Sequence, residues 1–315
     1  MFSLSTASNP FAHTYSIVAR DPRTGQMGVA VQSHAFAVGS IVPWAEAGVG
    51  VVATQAFANL DYGPEGLSLM RDGLSAEEAL STLLNQDEER EIRQVALLDG
   101  QGRIAVHTGS RCIEARGHVA GANYCVQANM MVDDSVWPAM KQAYEEAERR
   151  EEDLADRMIA ALLAAQRAGG DIRGQQAAAL LIVARERHQK PWQGRLFDLR
   201  VDDHPYPVEE LKRLVSIRRA WLLFEQSNDL AQAHRFEEAL PPLKRAMELE
   251  PDITELAFRG AAILFMAGEN PEALALLHQV FAREPGFAEL IPRLAAVGLL
   301  PNDPALIKLI LDQRS

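Results

Sequence analysis

The segment of residues 14–55 limits the possible folds more than any other part of the sequence, because it predicts a β-hairpin followed closely by a third strand. Tyr15, Ile17 and Ala19 alternate with Thr14, Ser16 and Val18, which is the spacing of a strand. Residues 21–25, Asp-Pro-Arg-Thr-Gly, predict a turn, since Pro presets φ and Gly accepts a positive φ. Residues 27–33 predict the return strand, and residues 48–55 predict a third, largely buried one. The fold therefore begins with antiparallel sheet.

The other predicted elements up to residue 205 form groups of strands separated by pairs of helices. Ser75, with Glu78 three residues later, is a capping box that marks the start of one helix. This order favours a layered α+β sandwich over alternating βαβ units. The predicted helices are 64–72, one beginning after Ser75, 134–148 and 153–167, and the predicted strands are 93–99, 103–108, 122–130, 176–184 and 196–202.

The C-terminal third of the sequence carries a helical repeat and no convincing strand. The residues Ala239, Leu243, Ala246 and Pro251 are followed, 34 positions later, by Ala273, Leu277, Val280 and Pro285. This is the tetratricopeptide period, and the small, large, small, Pro spacing is that of the second helix of the repeat. A generic helical bundle is the alternative, because the first-helix signature is weak. We therefore divide the 315 residues into an N-terminal extension (1–13), an α+β domain (14–205), a connecting helix (206–228) and tetratricopeptide-like repeats (229–315).

Composition and charge argue against several classes of function. A net charge of −12 disfavours a nucleic-acid or anionic-membrane surface, both of which need clustered Lys and Arg. No apolar run reaches the roughly 18–20 residues of a membrane helix, and the N-terminus lacks a basic region followed by an apolar one, so we expect a cytoplasmic protein. No Cys or His set has metal-ligand spacing, and Gly48-Val49-Gly50 lacks a nucleotide-binding pattern, so we expect no metal and no other cofactor.

Thr14, at the head of the first strand, is the first candidate for chemistry. An N-terminal Thr can act as a nucleophile with its own α-amine as the base, which here requires cleavage of the His13–Thr14 bond or a shorter N-terminus. The alternative is a strand residue chosen for its β propensity. Ser33 is a second candidate nucleophile. Its neighbour His34 points to the opposite face of a strand, so the two form no direct dyad, although each can line a cleft.

Side-chain amides near the ends of predicted strands are further candidates. Gln127 and Asn129 lie two residues apart on one strand, so their amides share a face, and Gln55 and Asn59 lie near the end of another strand. Such groups either bind loop backbone or donate hydrogen bonds to a substrate oxyanion. Arg173 lies in a polar turn with Asp171, where an ion pair that orders the turn is the alternative to substrate binding.

Several blocks of the sequence together resemble a bacterial and archaeal family, domain of unknown function 1028, which is grouped with the Ntn (N-terminal nucleophile) hydrolases. The blocks are TYSIVARDPRTGQMGVAVQSHAFAVGS, VPWAEAGVGVVATQAFAN, YGPEGL, REIRQVALLD, HTGSRCIEARGH, YCVQANMM and GGDIRGQQAAALLIV, and they cover residues 14–205 and extend through RVDDHPYPVEELKRL. The resemblance implies a four-layer αββα sandwich. It also implies that Thr14 is the nucleophile, that Gln127 and Asn129 stabilise the oxyanion or orient the substrate, and that Ser33, His34, Gln55 and Arg173 line the cleft.

Three functions follow from these observations. The first is an Ntn-type amidohydrolase that cleaves a C–N amide bond in a small or peptide-like substrate through an acyl-enzyme on Thr14. The second is a non-catalytic scaffold whose helical repeats bind a protein partner. The third is a hydrolase with another nucleophile, such as Ser33. A homodimer is compatible with each of them.

Overall fold

The computed structural model describes residues 11–298, 300 and 302–314. These fall into two compact units, which divide between Val215 and Ser216. Residues 1–10 of the expected N-terminal extension lie outside the described residues. The first unit is a mixed α/β structure with two antiparallel sheets, and the second unit is helical.

A six-stranded antiparallel sheet has the predicted hairpin at its centre. The hairpin strands are β2 (Thr14–Arg20) and β3 (Met27–Ser33), and the turn between them has Gly25 at a φ of 73°, as its sequence predicts. The other four strands are β8 (Gly117–Gly121), β9 (Tyr124–Ala128), β10 (Ala177–Val183) and β11 (Arg195–Val201). The sheet order is β11-β10-β3-β2-β9-β8.

A second antiparallel sheet has β5 (Gly50–Phe57) and β6 (Arg93–Asp99) at its centre, with β7 (Ile104–Thr108) beside β6. Two short strands, β1 (Phe11–Ala12) and β4 (Pro43–Glu46), pair with different parts of β5 along the same edge. The inward faces of the two sheets share one apolar core, which includes Val18 and Val31 from the first sheet and Val51 and Leu98 from the second.

Helices cover the outer faces of both sheets in the first unit. Helices α1 (Tyr62–Arg71) and α2 (Ala76–Gln86) pack on the second sheet, and Ser75 caps α2 through the predicted capping box with Glu78. Helices α3 (Val136–Arg149) and α4 (Leu154–Arg167) pack on the first sheet. The alternation of strands β2 and β3 thus buries one set of side chains under helices and the other between sheets.

The second unit continues from α5 (Pro207–Gln232), the helix in which the two units divide. The remaining helices are α6 (Phe236–Leu249), α7 (Thr254–Met266), α8 (Asn270–Arg283), α9 (Gly286–Ala296) and α10 (Pro304–Leu311). Apart from the two Pro residues, which follow the helices, the residues that recur at 34-residue spacing lie at matching places on α6 and α8, where Leu243 and Leu277 are both buried. No helix in the described part of the chain is long and apolar enough to cross a bilayer.

Three strands were missed by the sequence analysis, for different physical reasons. The extension was expected to be irregular to residue 13, but β1 pairs Phe11 and Ala12 with Phe57 and Ala56. Two residues carry no periodicity, so this strand is set by its partner alone. Strand β4 begins at Pro43 on a sheet edge, and β8 begins and ends with Gly, which are both weak strand signals.

We expect Leu98→Ala to lower the free energy of unfolding of the first unit by roughly 2–5 kcal/mol, because Leu98 is fully buried between the sheets. Urea denaturation followed by circular dichroism measures the change. The matched control is Leu60→Ala, at a side chain that is 39% exposed, which should cost less than about 1 kcal/mol. Equal losses at the two positions would contradict this placement of the core.

Candidate active site

Polar side chains collect at one end of the space between the two sheets. On the first sheet, Thr14 pairs directly with Ser33, and Ser16 lies one inward position further along β2. Residues at these inward positions nearer the other end of the same strands, such as Val18 and Val29, are apolar. Because alternate residues of a strand share a face, the hairpin presents hydroxyl groups at one end of the core and methyl groups at the other.

The carboxamides of Gln55, Gln94 and Gln127 connect the two sheets across this polar end. The Gln55 side chain accepts a hydrogen bond of 2.6 Å from Ser16 Oγ and donates one of 2.7 Å to Gln94 Oε1. Gln127 Nε2 donates to Ser16 Oγ and to the carbonyl of Ala53, at 3.2 and 3.0 Å. All of these side chains are fully buried, so each lost bond would leave a costly unpaired group.

Asn129 extends this network to His13, the residue before Thr14. Asn129 Nδ2 donates to Gln94 Oε1 at 2.9 Å, and its Oδ1 lies 2.7 Å from His13 Nδ1. Because an amide oxygen can only accept, His13 Nδ1 carries the hydrogen in this arrangement. The His13 ring is fully buried and makes an edge-to-face contact with Phe57, with centroids 5.3 Å apart. His13, the residue directly before Thr14, is therefore part of the site.

The carbonyl group of His13 accepts hydrogen bonds from two side chains. Ser33 Oγ donates to it at 2.7 Å, and Arg173 Nη2 donates at 2.9 Å. Arg173 is oriented by Asp171, whose buried carboxylate lies 2.7 Å from the same Nη2. The ion pair expected in this turn is present, and it aims the guanidinium at the backbone. Two donors thus converge on the carbonyl oxygen of the His13–Thr14 peptide bond.

The hydroxyl group of Thr14 is buried and has no hydrogen-bond partner among the described residues. An unpaired buried hydroxyl costs roughly 1–3 kcal/mol, so it is an unusual feature of a folded core. The backbone carbonyl of Thr14 is satisfied, because the backbone N–H of Asn129 donates to it at 3.1 Å and Gln55 Nε2 donates to it at 3.2 Å. The site therefore fixes the Thr14 main chain and leaves the Thr14 hydroxyl oxygen without a partner among the described residues.

The electrostatics of the site favour a neutral imidazole. Burial lowers the pKa of His13, and the nearby Arg173 guanidinium lowers it as well, while the hydrogen bond to Asn129 and the Asp171 carboxylate act in the opposite direction. Because burial is the largest of these effects, the charged form of His13 is disfavoured. The described residues contain no group of three or more His, Cys, Asp or Glu side chains placed to hold a metal ion.

Two residues that directly follow site amides have left-handed backbone conformations. Ala56, after Gln55, has a φ of 69°, and Met130, after Asn129, has a φ of 59°. This region is unfavourable for residues with a Cβ atom, and non-glycine residues found there concentrate at functional sites. The strain redirects the chain immediately after each amide, so it helps to define where both side chains lie.

The structure brings together most, but not all, of the site residues proposed from the sequence. Thr14, Ser33, Gln55, Gln127, Asn129 and Arg173 belong to one connected cluster. His34 is exposed, and its backbone N–H, not its ring, contacts Asp171. Asn59 Oδ1 accepts from the backbone of Asp61, which is the loop role that the sequence left open.

Sequence reasoning did not identify three members of the cluster, Ser16, Gln94 and His13. Gln94 is the centre of the network, since its Nε2 also donates to Thr108 Oγ1 and to the carbonyl of Ala128. Its signal was present in the sequence as an amide directly before the apolar run of residues 95–98 in β6. His13 carried no signal, because its burial depends on β1 and on contacts distant in sequence.

Together, the fold and this cluster define a mixed α/β protein with a buried polar site between two antiparallel sheets. Residues 14–211 match a family described as a family of unknown function, DUF1028. The chain belongs to this family, as its sequence blocks indicated. It is also similar to protein SPO2555 from Silicibacter pomeroyi, described with the same family, whose crystal structure is 33% identical in sequence. That similarity has a TM-score of 0.57 and covers 64% of this chain and 87% of the other. No match was found among curated proteins.

We expect His13 to make the stability of the first unit depend on pH. As the pH falls through about 6.5, the unfolded chain binds a proton that folded His13 resists, so the free energy of unfolding decreases until the folded pKa is reached. Urea denaturation between pH 5 and pH 8, in a Thr14→Ala background that keeps His13 attached, measures this slope. Adding His13→Asn should reduce it. The remainder includes His118, whose pKa burial also lowers; an unchanged slope would contradict the assignment to His13.

Proposed function

We propose that the protein is an Ntn-type amidohydrolase that matures by cleaving its own His13–Thr14 bond. The observation that carries this proposal is the geometry of that bond. Its carbonyl oxygen accepts hydrogen bonds from Ser33 and Arg173, and the hydroxyl of the next residue, Thr14, is buried and unpaired. Two donors at a carbonyl and a free hydroxyl beside it are the arrangement that acyl transfer requires.

In the maturation step, Thr14 Oγ adds to the carbonyl carbon of His13, and Ser33 and Arg173 stabilise the negative charge that develops on oxygen. The bond between His13 C and Thr14 N then breaks, and the nitrogen takes the hydroxyl proton, so that an ester joins His13 to Thr14 Oγ. Water hydrolyses this ester. The products are residues 1–13 with a new carboxylate and a chain that begins at Thr14 with a free amine and a free hydroxyl.

In the catalytic cycle, the α-amine of Thr14 takes the hydroxyl proton while Oγ attacks the carbonyl carbon of a substrate amide. The C–N bond breaks, the departing amine receives the proton, and the acyl group remains as an ester on Thr14. Water then releases the acid. Asn129, Gln55 and Gln127 hold the Thr14 main chain and the surrounding strands, so that the nucleophile is fixed before the substrate binds.

The arrangement of the layers also supports an Ntn-type sandwich. Helices α1 and α2 cover one sheet, α3 and α4 cover the other, and the proposed nucleophile is at the start of a central strand that faces the space between them. The same role for the first residue of the first strand is what the family resemblance implied. Because a fold alone does not establish a reaction, the main support for the proposal is the geometry of the His13–Thr14 bond.

We expect full-length protein, incubated after purification, to lose residues 1–13 and to begin at Thr14. Intact-mass spectrometry measures the loss. Thr14→Ala should abolish it because no hydroxyl is present, and Thr14→Ser, which keeps the hydroxyl, should retain it. A wild-type chain that stays whole under conditions where it is folded would contradict the proposal, as would equal cleavage of Thr14→Ala.

We expect Ser33→Ala and Arg173→Met each to slow self-cleavage by about 100-fold, since each removes one donor from the carbonyl of His13. The rate is followed by mass spectrometry over time. Matched controls are Ser81→Ala, at an exposed helix position, and Arg195→Met, which removes an exposed Arg that is paired with Asp198 on the edge strand β11. These controls should keep the wild-type rate, and slowing at all four positions would refute the specific role of the two donors.

A second candidate function, binding of a protein segment by the helical unit, is favoured by one observation. The second unit contains an apolar groove of about 550 Å³, lined by residues that include Phe224, Phe258, Met266 and Leu290. The 34-residue repeat on α6 and α8 supports a tetratricopeptide-like unit, and such units bind peptide segments in grooves. Under this function alone, Thr14→Ala would leave partner binding unchanged, while Met266→Asp, at a side chain that is 42% exposed, would weaken it.

A further inference from the structure

The residues before the proposed cleavage point are bound in the way that an extended peptide substrate is bound. Strand β1 pairs antiparallel with the end of β5, with Phe11 opposite Phe57 and Ala12 opposite Ala56. Addition of a strand to a sheet edge is a general mode of peptide recognition, in which main-chain hydrogen bonds supply affinity and side-chain pockets supply specificity. The edge of β5 therefore holds the main chain of residues 11–12, directly before His13 and the His13–Thr14 bond.

The side chains of this segment occupy defined positions. Ala12 is fully buried in the core between the sheets, so the position accepts a small side chain. The ring of His13 is also fully buried. Its Nδ1 lies 2.7 Å from Asn129 Oδ1, and the ring makes an edge-to-face contact with Phe57. Asn129 is held in turn by Gln94, which fixes the acceptor oxygen toward the ring.

The surroundings of the His13 ring discriminate between side chains. An aliphatic group in its place would leave Asn129 Oδ1 buried without a donor, and a carboxylate would place a negative charge against that oxygen. A flat ring with an N–H at the imidazole position satisfies the acceptor and keeps the contact with Phe57. The lowered pKa of His13 agrees with a pocket for a neutral ring.

We infer that the space occupied by Ala12 and His13 is the acyl-binding pocket of the processed enzyme, and that its substrates are peptidyl amides in which a small residue and then a histidine-like residue precede the cleaved bond. The inference rests on the proposed function, because the pocket opens only when residues 1–13 leave. In self-cleavage and in turnover the same hydroxyl attacks a carbonyl carbon. The acyl group of the first reaction, which ends at His13, therefore marks where the acyl group of the second lies.

The reaction on such a substrate balances as the maturation step does. Thr14 Oγ displaces the amine from the carbonyl of the histidine-like residue, the departing nitrogen gains the proton that the hydroxyl lost, and water then releases the peptide acid. The peptide acid has the same end group as the released segment 1–13. A short peptide acid ending in Ala-His should therefore be a competitive inhibitor of the processed enzyme.

The first arm of the test uses the processed full-length protein, with cleavage verified by mass and the released peptide removed by gel filtration. The probes are acetyl-Phe-Ala-His, acetyl-Phe-Ala-Leu and acetyl-Phe-Ala-Asp, each as a 7-amino-4-methylcoumarin amide. We expect kcat/KM for the His probe to exceed that for the Leu and Asp probes by at least about 10-fold. In processed Asn129→Ala protein, we expect a smaller ratio of kcat/KM between the His probe and the other two probes. This ratio does not depend on the fraction of folded protein.

The second arm varies position 13 of the intact chain, where His13→Leu and His13→Asp should self-cleave at least about 10-fold more slowly than wild type. The pocket inference is overturned, and the proposed function stands, if the wild type cleaves itself but cleaves all three probes equally. The same holds if the two position 13 variants cleave themselves as fast as the wild type. If wild type does not cleave itself, the proposed function and this inference fall together.

Discussion

The structure depends on a buried hydrogen-bond network that joins two sheets at one end of an otherwise apolar core. Gln55, Gln94, Gln127 and Asn129 are all fully buried, and their amides bond to each other, to Ser16 or to strand carbonyls. Buried amides are tolerated only when they are paired, so the network constrains both sheets at once. A shift of one residue in any of these strands would move its amide to the wrong face and leave its partners unpaired.

This constraint explains why the nucleophile candidate is held in place without itself being satisfied. The network bonds to the Thr14 carbonyl through Gln55 and to the ring of His13 through Asn129. Ser33 and Arg173 donate to the backbone carbonyl of His13. The main chain on both sides of one peptide bond is thereby immobilised. Thr14 Oγ has no partner among the described residues, and Ala56 and Met130, which directly follow Gln55 and Asn129, have left-handed backbone conformations. Costs of this kind, concentrated at one bond, are typical of a site arranged for reaction.

The sequence predicted the strands that position the site better than it predicted all of the side chains in the site. The alternation in β2 and the Gly25 turn predicted the hairpin, and spacing of two placed Gln127 and Asn129 on one face, because these are local properties. Gln94 and His13 were missed, since a strand amide becomes a network centre only when a second sheet covers it. Strand β1 was missed because two residues have no period, and its pairing with β5 is a tertiary contact. His34 was proposed from its position next to Ser33, yet β3 ends at Ser33, and His34 lies in the loop that follows, where it is exposed.

The family resemblance supplied a role for Thr14 that composition and periodicity did not. The structure adds the residues around its peptide bond, and they suggest why an internal Thr need not be inert. The preceding segment is paired as a strand on β5, and its last residue, His13, packs its ring against Phe57. Under the proposed function, the contacts that hold this segment before cleavage would also select the substrate afterwards.

The central claim, that Thr14 becomes an N-terminal nucleophile, is tested most directly with a peptidyl epoxyketone. Its ketone carbon adds the Thr hydroxyl, and its epoxide is then opened by the α-amine of the same residue, so a stable ring forms only when both groups are free. After incubation with acetyl-Phe-Ala-His epoxyketone, peptide mapping should locate the whole mass of the reagent on a peptide that begins at Thr14. An adduct on Ser33, or no adduct on a folded protein, would contradict the account.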